Sequence, residues 1–189
     1  MALMRTEAAE IHYEIEGPEH APVVVLSNSL GTTMDVWDRQ LPALRRHLRV
    51  LRYDQRGHGG SAAIPGPYSI DGLGRDVVDL LDGLGIESAS FCGLSLGASV
   101  GMWLAASAPD RVDRLVLCCG APWLGPAQPW VDRAAAVRSR GVEVLVPMLP
   151  ARWFTAGFVE REAAVVAEVV AMLSRVDAEG YAGCCEAIA

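Results

Sequence analysis

A serine flanked by glycines is the clearest candidate for chemistry in this sequence: the stretch GLSLG, residues 93–97, matches the pattern G-x-S-x-G. It stands where an apolar run over residues 88–92 passes directly into a helix-like run over residues 96–106. A sharp strand-to-helix turn exposes a serine oxygen and strains its dihedral angles, and small residues two places away on either side avoid clashes. The pattern predicts that Ser95 is a nucleophile. The alternative is a glycine-rich turn without chemistry.

An attacking serine oxygen also needs hydrogen-bond donors for the oxyanion that develops on the substrate. The backbone N–H of Leu96, the residue after the serine, is the expected first donor. A second donor should come from the loop after an earlier strand, and SNSLGT, residues 27–32, ends such a strand and turns at small residues. We expect the N–H of Leu30 to be this donor, with an ordinary turn as the alternative.

A serine nucleophile needs a proton acceptor, and the chain contains four histidines: His12, His20, His47 and His58. His12 lies on the predicted solvent side of a strand, beside two glutamates. His20 lies in a loop with prolines on either side, and His47 ends a basic stretch. Only His58 follows a strand at the edge where Ser95 should emerge, so it is the one open candidate for a general base.

The loop that contains His58 reads DQRGHGGS, residues 54–61, and follows an apolar run. Asp54 and Arg56 are spaced to hold one another. We expect this pair to brace the loop structurally rather than to take part in chemistry.

These loops must be positioned by strands and helices. Five runs predict the strands of a largely parallel sheet: residues 11–15, 22–26, 50–53, 88–92 and 115–119. Residues 71–84 predict an amphipathic helix with Asp76, Asp79 and Asp82 on its polar face. Because strands and helices alternate, the fold class is α/β with right-handed crossover connections.

The pattern changes after residue 120. Clustered prolines are followed by helical segments without a strand signal: residues 131–140, 159–172 and 177–188. We therefore expect a core over residues 1–120 and a helical lid over residues 121–189.

Composition narrows the class of protein. The net charge of −7 argues against nucleic-acid and anionic-membrane partners, which reward clustered basic residues. Residues 88–109 carry no charge and are long enough to cross a bilayer, yet several glycines and serines favour a buried strand and helix. The start of the chain lacks the apolar segment of a signal peptide.

The five cysteines include adjacent pairs and no C-x-x-C, which favours buried, reduced thiols in a cytoplasmic protein without a metal site. Nothing in the sequence indicates the oligomeric state.

Several stretches in this order resemble the α/β-hydrolase superfamily and, within it, the 3-oxoadipate enol-lactonases. They are LSNSLGTTMDVWDRQLPAL, RVLRYDQRGHGGS, GPYSID, FCGLSLGASVGMWLA, RWFT and GYAGCCEAI. The resemblance runs from about residue 11 to residue 189, and its lid portion is more specific than G-x-S-x-G. It implies an α/β-hydrolase fold with a helical lid.

The resemblance also implies a reaction, hydrolysis of 3-oxoadipate enol-lactone to 3-oxoadipate in the breakdown of protocatechuate and related aromatic acids. Ser95 would attack the lactone carbonyl, the amides of Leu30 and Leu96 would hold the oxyanion, and water would release the acyl-enzyme. No cofactor is needed. This small-molecule substrate carries a free carboxylate, so a lid arginine is a sensible anchor. The candidates for the substrate-binding residues are Arg133 and Arg152, with Trp130 and Trp153 as walls; surface or packing roles are the alternative.

The triad acid and histidine have no good candidates. In this superfamily the order along the chain is serine, acid, histidine, but all four histidines precede Ser95. Asp110 and Asp113 precede a strand, and Asp132 and Asp177 fall in the lid. Our hypothesis is that the chain is truncated before the final strands that would supply both groups. It would then be largely inactive, with an exposed, aggregation-prone sheet edge. Alternatives are another carboxylesterase or C–C bond hydrolase, or a non-catalytic remnant of the fold.

Overall fold

The computed structural model describes residues 2–189. The strands are β1 Ala2–Arg5, β2 Glu10–Glu16, β3 Val23–Ser27, β4 Arg49–Tyr53, β5 Ala89–Leu94 and β6 Val112–Cys118. They form one 6-stranded sheet in the order β1-β2-β4-β3-β5-β6. The pairs β1–β2 and β2–β4 are antiparallel, and the other neighbours are parallel. The predicted α/β class with a mostly parallel sheet is confirmed, and β1 is a strand that the sequence reading missed.

The helices lie between and after the strands. They are α1 Leu41–Leu44, α2 Ile70–Gly83, α3 Leu96–Ser107, α4 Ala127–Arg140, α5 Leu149–Trp153, α6 Ala156–Arg161, α7 Ala163–Ala171 and α8 Ala178–Ile188. Short 3₁₀ turns cover Met34–Trp37, Pro109–Arg111, Val142–Met148 and Met172–Arg175. The single helix predicted over residues 159–172 is wrong. It is broken at Glu162, whose φ of −121° and ψ of 38° lie outside the helical region.

The central parallel strands β3, β4 and β5 are largely buried because side chains pack against them on both faces of the sheet, whereas the edge strand β6 is mostly exposed. Val25 of β3, Leu51 of β4 and Phe91 of β5 are all at most 2% exposed. The uncharged segment over residues 88–109 folds as β5 and α3, as expected from its glycines and serines. Within residues 2–189, no helix is both long and apolar enough to cross a membrane.

The larger of two clusters of buried apolar side chains joins the sheet to the helices that follow it. Val25 and Leu51 belong to the same cluster of buried side chains as Val137 of α4 and Ala182 of α8. A Cβ at Gly57 would lie 2.3 Å from the Cα of Gly180, so α8 approaches the loop after β4 backbone to backbone. The division into a core over residues 1–120 and a lid over residues 121–189 stays a prediction.

The polar face predicted for α2 is wrong at Asp76. This side chain is 3% exposed and faces inward, where it forms an ion pair with Arg56. The helix periodicity predicted that Asp76 faces solvent. The sequence does not show that an arginine from another loop reaches this side chain.

Candidate active site

The turn between β5 and α3 holds Ser95 in a strained conformation. Its φ is 54° and its ψ is −109°, in a region that residues other than glycine rarely adopt. A Cβ added at Gly93 would lie 2.1 Å from the carbonyl oxygen of Gly97, and one added at Gly97 would lie 2.3 Å from the carbonyl oxygen of Ser27. Both flanking glycines are therefore required sterically, as the G-x-S-x-G pattern predicted.

Hydrogen bonds attach this turn to neighbouring strands and loops. The N–H of Ser95 donates to the carbonyl of Cys118 at the end of β6, at 2.8 Å. The N–H of Gly97 donates to the carbonyl of Asn28 after β3, at 3.2 Å. The serine is thus held where the carboxyl ends of three neighbouring parallel strands meet, which is the usual binding edge of an open α/β sheet.

The two predicted oxyanion donors lie on either side of this turn. Leu96 is the first residue of α3, where a backbone N–H has no partner within the helix. Leu30 occupies the second position of a turn closed by a hydrogen bond from the N–H of Thr32 to the carbonyl of Ser29, at 3.2 Å. Ser29, Leu30 and Ser95 line one common slot. Their roles as oxyanion donors stay predictions.

The pairing predicted for the loop after β4 is wrong. Asp54 does not hold Arg56; its Oδ2 lies 2.8 Å from Nδ1 of His12, and its Oδ1 accepts from the N–H of Met34 at 2.7 Å. Arg56 turns instead to Asp76, as described above. Asp54 and Arg56 therefore do hold loops in place, as predicted, but each with partners from separate segments of the sequence.

His12 also differs from its predicted place on a solvent-facing strand side. It is 6% exposed because residues 60 and 61 pack over it. A Cβ at Gly60 would lie 2.6 Å from its Nδ1. Its Nε2 is one of the buried polar atoms without a hydrogen-bond partner among the described residues.

Among residues 2–189, no histidine forms a hydrogen bond with Ser95. His12 faces Asp54, while His20 and His47 are exposed. Both ring nitrogens of His58 are engaged by backbone groups, and burial lowers its pKa. His58 is therefore poorly suited to act as the base of Ser95.

The aspartates considered for the triad are also used elsewhere or exposed. Asp110 and Asp113 are exposed and lie at the start of β6, the end of the sheet away from Ser95. Asp132 is exposed on α4. Asp177 caps α8, with its Oδ1 accepting from the N–H of Glu179 at 2.8 Å.

Ser95 lines two neighbouring spaces that also contact the helices after β6. A narrow slot of about 40 Å³ contains the predicted residues Trp130, Arg133, Arg152 and Trp153. A wider, mostly apolar cavity of about 380 Å³ shares Ser95, Arg152 and Trp153 with it. The fold thus brings every residue predicted for substrate binding to the same site as the serine.

The arginines of the slot gather around Trp130 and Tyr181. The Cζ of Arg133 is 4.7 Å from the centre of the Trp130 ring, and that of Arg152 is 5.9 Å from it. Burial raises the pKa of Tyr181 to about 12, and the charges of both arginines act in the opposite direction. Within residues 2–189, neither guanidinium has a carboxylate within ion-pairing distance. The slot therefore offers positive charge to an anionic ligand.

The sequence reading missed the apolar lining of the wider cavity. Val165 and Val169 of α7 face it together with Phe154, and their four-residue spacing on a helix was the available signal. Cys119 also lines it and is exposed, so the prediction that all cysteines are buried is wrong. In the described chain, no three potential metal-ligating side chains come together.

A mostly parallel sheet with helices packed on it and a serine on a strained strand-to-helix turn are the features that define the α/β-hydrolase class of protein. The family model for the alpha/beta hydrolase fold matches residues 22–140. The chain belongs to the α/β-hydrolase family.

Individual relatives narrow the resemblance. The chain is 41% identical over 179 residues to 3-oxoadipate enol-lactonase 2 of Acinetobacter baylyi, covering 95% of this chain and 67% of the relative. It is 35% identical over 160 residues to a putative carbamate hydrolase RutD of Caulobacter segnis, covering 80% and 59%. The crystal structure of the enol-lactonase from Burkholderia xenovorans LB400 is similar, with a TM-score of 0.96 and 46% identity over 99% of this chain and 73% of that one.

The similarity to 3-oxoadipate enol-lactonases, inferred from the motifs, is confirmed by these relatives. The chain spans 67% of the length of the first of these curated relatives and 59% of the second.

Proposed function

We propose that this chain contributes the nucleophile and the lid of a serine hydrolase that opens 3-oxoadipate enol-lactone to 3-oxoadipate, in the breakdown of aromatic acids. The observation that carries the proposal is a strained serine facing a slot with two arginines that have no ion-pair partner among the described residues. The names of the relatives supply the candidate substrate.

In the proposed reaction the Oγ of Ser95 gives up its proton to a general base, attacks the lactone carbonyl carbon and forms a tetrahedral oxyanion. The N–H groups of Leu30 and Leu96 donate to that oxyanion, where each donor contributes a factor of about 10²–10³ to the rate in comparable enzymes. Collapse breaks the ring C–O bond and expels an enolate, which takes up the proton held by the general base and relaxes to the ketone. Water then attacks the acyl-enzyme and releases the dicarboxylate product.

The general base is a separate part of the proposal. Since no histidine of the described chain forms a hydrogen bond with Ser95, none of the four is assigned as its proton acceptor. Turnover by residues 1–189 alone is expected to be orders of magnitude slower than with a complete triad, as when a triad member is removed.

The first test is covalent labelling of the serine. Wild-type chain incubated for a long time with excess fluorophosphonate should gain one label, slowly because no general base is assigned to the serine, and Ser95→Ala should abolish it. Ser99→Ala, one helical turn further along α3, is the matched control and should label as the wild type does. Each adduct is located by peptide mass spectrometry. Labelling that survives in Ser95→Ala would contradict the assignment, and absence of labelling in the wild type would favour the non-catalytic alternative.

The second test concerns the carboxylate of the substrate. Arg133→Ala and Arg152→Ala should each weaken binding of 3-oxoadipate by about 10- to 100-fold, since each removes a charge-assisted hydrogen bond. Titration calorimetry measures this without needing turnover. Arg140→Ala, an exposed arginine at the end of α4 outside the slot, should leave the affinity unchanged. Equal affinities in all three variants would remove the arginines from the proposal.

A substrate panel separates the enzymatic alternatives. Enol-lactone, simple aryl esters and a carbamate would be compared with any active preparation that contains this chain. The carbamate belongs in the panel because of the RutD relatives. Preference for a neutral ester over the carboxylate-bearing lactone would favour a general carboxylesterase.

A further inference from the structure

His58 is a fully buried histidine for which the proposed reaction has no use. It is 1% exposed, and each ring nitrogen has one backbone partner. Nδ1 lies 2.9 Å from the carbonyl oxygen of Arg56, and Nε2 lies 3.1 Å from the backbone nitrogen of Gly31. A carbonyl can only accept and an N–H can only donate, so Nδ1 carries the proton and Nε2 accepts. The ring is neutral with both nitrogens occupied.

The acceptor side of this ring reaches the turn that carries a predicted oxyanion donor. Gly31 has a φ of +84°, which suits the third position of a type II turn, and it directly follows Leu30. On its other side, a Cβ at Gly31 would lie 3.2 Å from Leu173 and from Tyr181. The turn is thus enclosed between His58 and side chains of the lid segments.

The backbone around His58 is also paired with the segment before α8. The N–H of Gly59 donates to the carbonyl of Arg175, and the N–H of Asp177 donates to the carbonyl of Gly57, both at 2.8 Å. His58 itself pairs with Val176 in an isolated antiparallel bridge. One residue therefore contacts the turn after β3 through its side chain and the lid segment through its backbone.

We infer that His58 is a positioning residue for the oxyanion site: its Nε2 lone pair fixes the Gly31 N–H, and with it the orientation of the turn that presents Leu30 to the substrate. This inference rests on the proposed function of Ser95. Without Nε2 of His58, the buried Gly31 N–H has no hydrogen-bond acceptor. We then expect the peptide groups of the turn to rotate away from the substrate, because an unpaired buried N–H is costly. Loss of about 1 Å of precision at such a site can slow a reaction about 100-fold.

Two substitutions separate the roles of the ring nitrogens. His58→Gln places an amide oxygen near the former Nε2 and can still accept from Gly31. His58→Asn places its amide near the former Nδ1 and keeps only the contact with Arg56. Both remove the ring and reduce packing, so a merely structural role predicts similar losses in the two variants.

The first readout is hydrogen exchange of the Gly31 amide, followed by NMR in the full chain. We expect near wild-type protection in His58→Gln and exchange faster by about tenfold or more in His58→Asn. Equal exchange in the two variants, after correction for their global stability, would overturn the assigned hydrogen bond. This readout needs no catalytic activity.

The second readout is the rate of fluorophosphonate labelling at Ser95, measured on the folded fraction. We expect His58→Gln within about threefold of the wild type and His58→Asn slower by about 10- to 100-fold. If the wild type labels and His58→Asn labels equally fast, the positioning role is refuted while the proposed function stands. If the wild type does not label at Ser95 even after prolonged incubation with excess reagent, the proposed function fails, and the Gly31 exchange alone decides whether His58 fixes the turn.

Discussion

Ser95 is held in its conformation by close backbone contacts at the glycines on both of its sides. The clearest is at Gly97, whose Cα lies so near the carbonyl of Ser27 that a methyl group could not fit. The helix α3 therefore begins in direct contact with the end of β3. Strain at the serine is sustained by these contacts and by the hydrogen bond to Cys118.

Gly97→Ala tests this steric requirement. Its methyl group would meet the Ser27 carbonyl at 2.3 Å, so we expect a loss of about 1–3 kcal/mol in the free energy of unfolding, as in other overpacked sites. Denaturant titration measures the loss, and labelling of Ser95 should fall with it. The control is Gly157→Ala, in helix α6, where the nearest atom is the mobile end of Arg161 at 3.1 Å. That variant should be neutral or gain up to about 1 kcal/mol. Equal effects at the two glycines would contradict the model of a sterically closed turn.

At the scale of elements, a buried ion pair connects helix α2 to the loop after β4. Asp76 accepts from Nη2 of Arg56 at 2.9 Å and from the hydroxyl of Thr6 at 2.9 Å. Arg56 also donates to the carbonyl of Gly72 at 2.8 Å. The same loop contains His58, so the pair contributes to holding the ring that contacts Gly31.

Asp76→Asn should cost about 3–5 kcal/mol of unfolding free energy, because it leaves the guanidinium of Arg56 buried without its counter-charge. The matched control is Asp71→Asn on the same helix, where Asp71 forms an ion pair with Arg75 at the surface. Since that pair is exposed, the control should change stability far less. Thermal and denaturant unfolding of both variants measure the difference. A loss of similar size at Asp71 would show that burial of the Arg56 pair carries no special weight.

At the scale of the whole molecule, the sheet is unevenly protected at its two edges. The β6 edge is formed by seven residues, with Val116 53% and Leu117 42% exposed, and it has no strand on its outer side within residues 2–189. The opposite edge, β1, has only four residues. A long, apolar, unpaired strand is a template for pairing with another chain, and a short one is a poor template.

We expect Val116→Lys to reduce concentration-dependent self-association of this chain, because a charge on the edge opposes strand pairing. Light scattering over a range of protein concentrations measures it. Leu3→Lys, at an apolar residue 56% exposed on β1, is the control and should have little effect. If Val116→Lys associates as strongly as the wild type, edge pairing through β6 is not the cause.

Some features of the fold and site could be predicted because they depend on local sequence. The apolar runs of β3, β4 and β5 and the glycines around Ser95 report the burial and steric demands of their immediate neighbours. The predicted slot residues, Arg133 and Arg152, came from resemblance to a family rather than from spacing. Partners of buried charges could not be predicted: His12 with Asp54 and Arg56 with Asp76 are brought together from separate segments.

The sequence by itself determined the alternation of strands and helices and the place of a strained serine, because periodicity and steric exclusion act over a few residues. Only the tertiary structure decided what lies around that serine. Packing of the later helices over the sheet brings Trp130 and the two arginines to Ser95, and it engages both nitrogens of His58 with backbone groups. These contacts join residues far apart in the chain, and their geometry depends on how whole elements pack against one another.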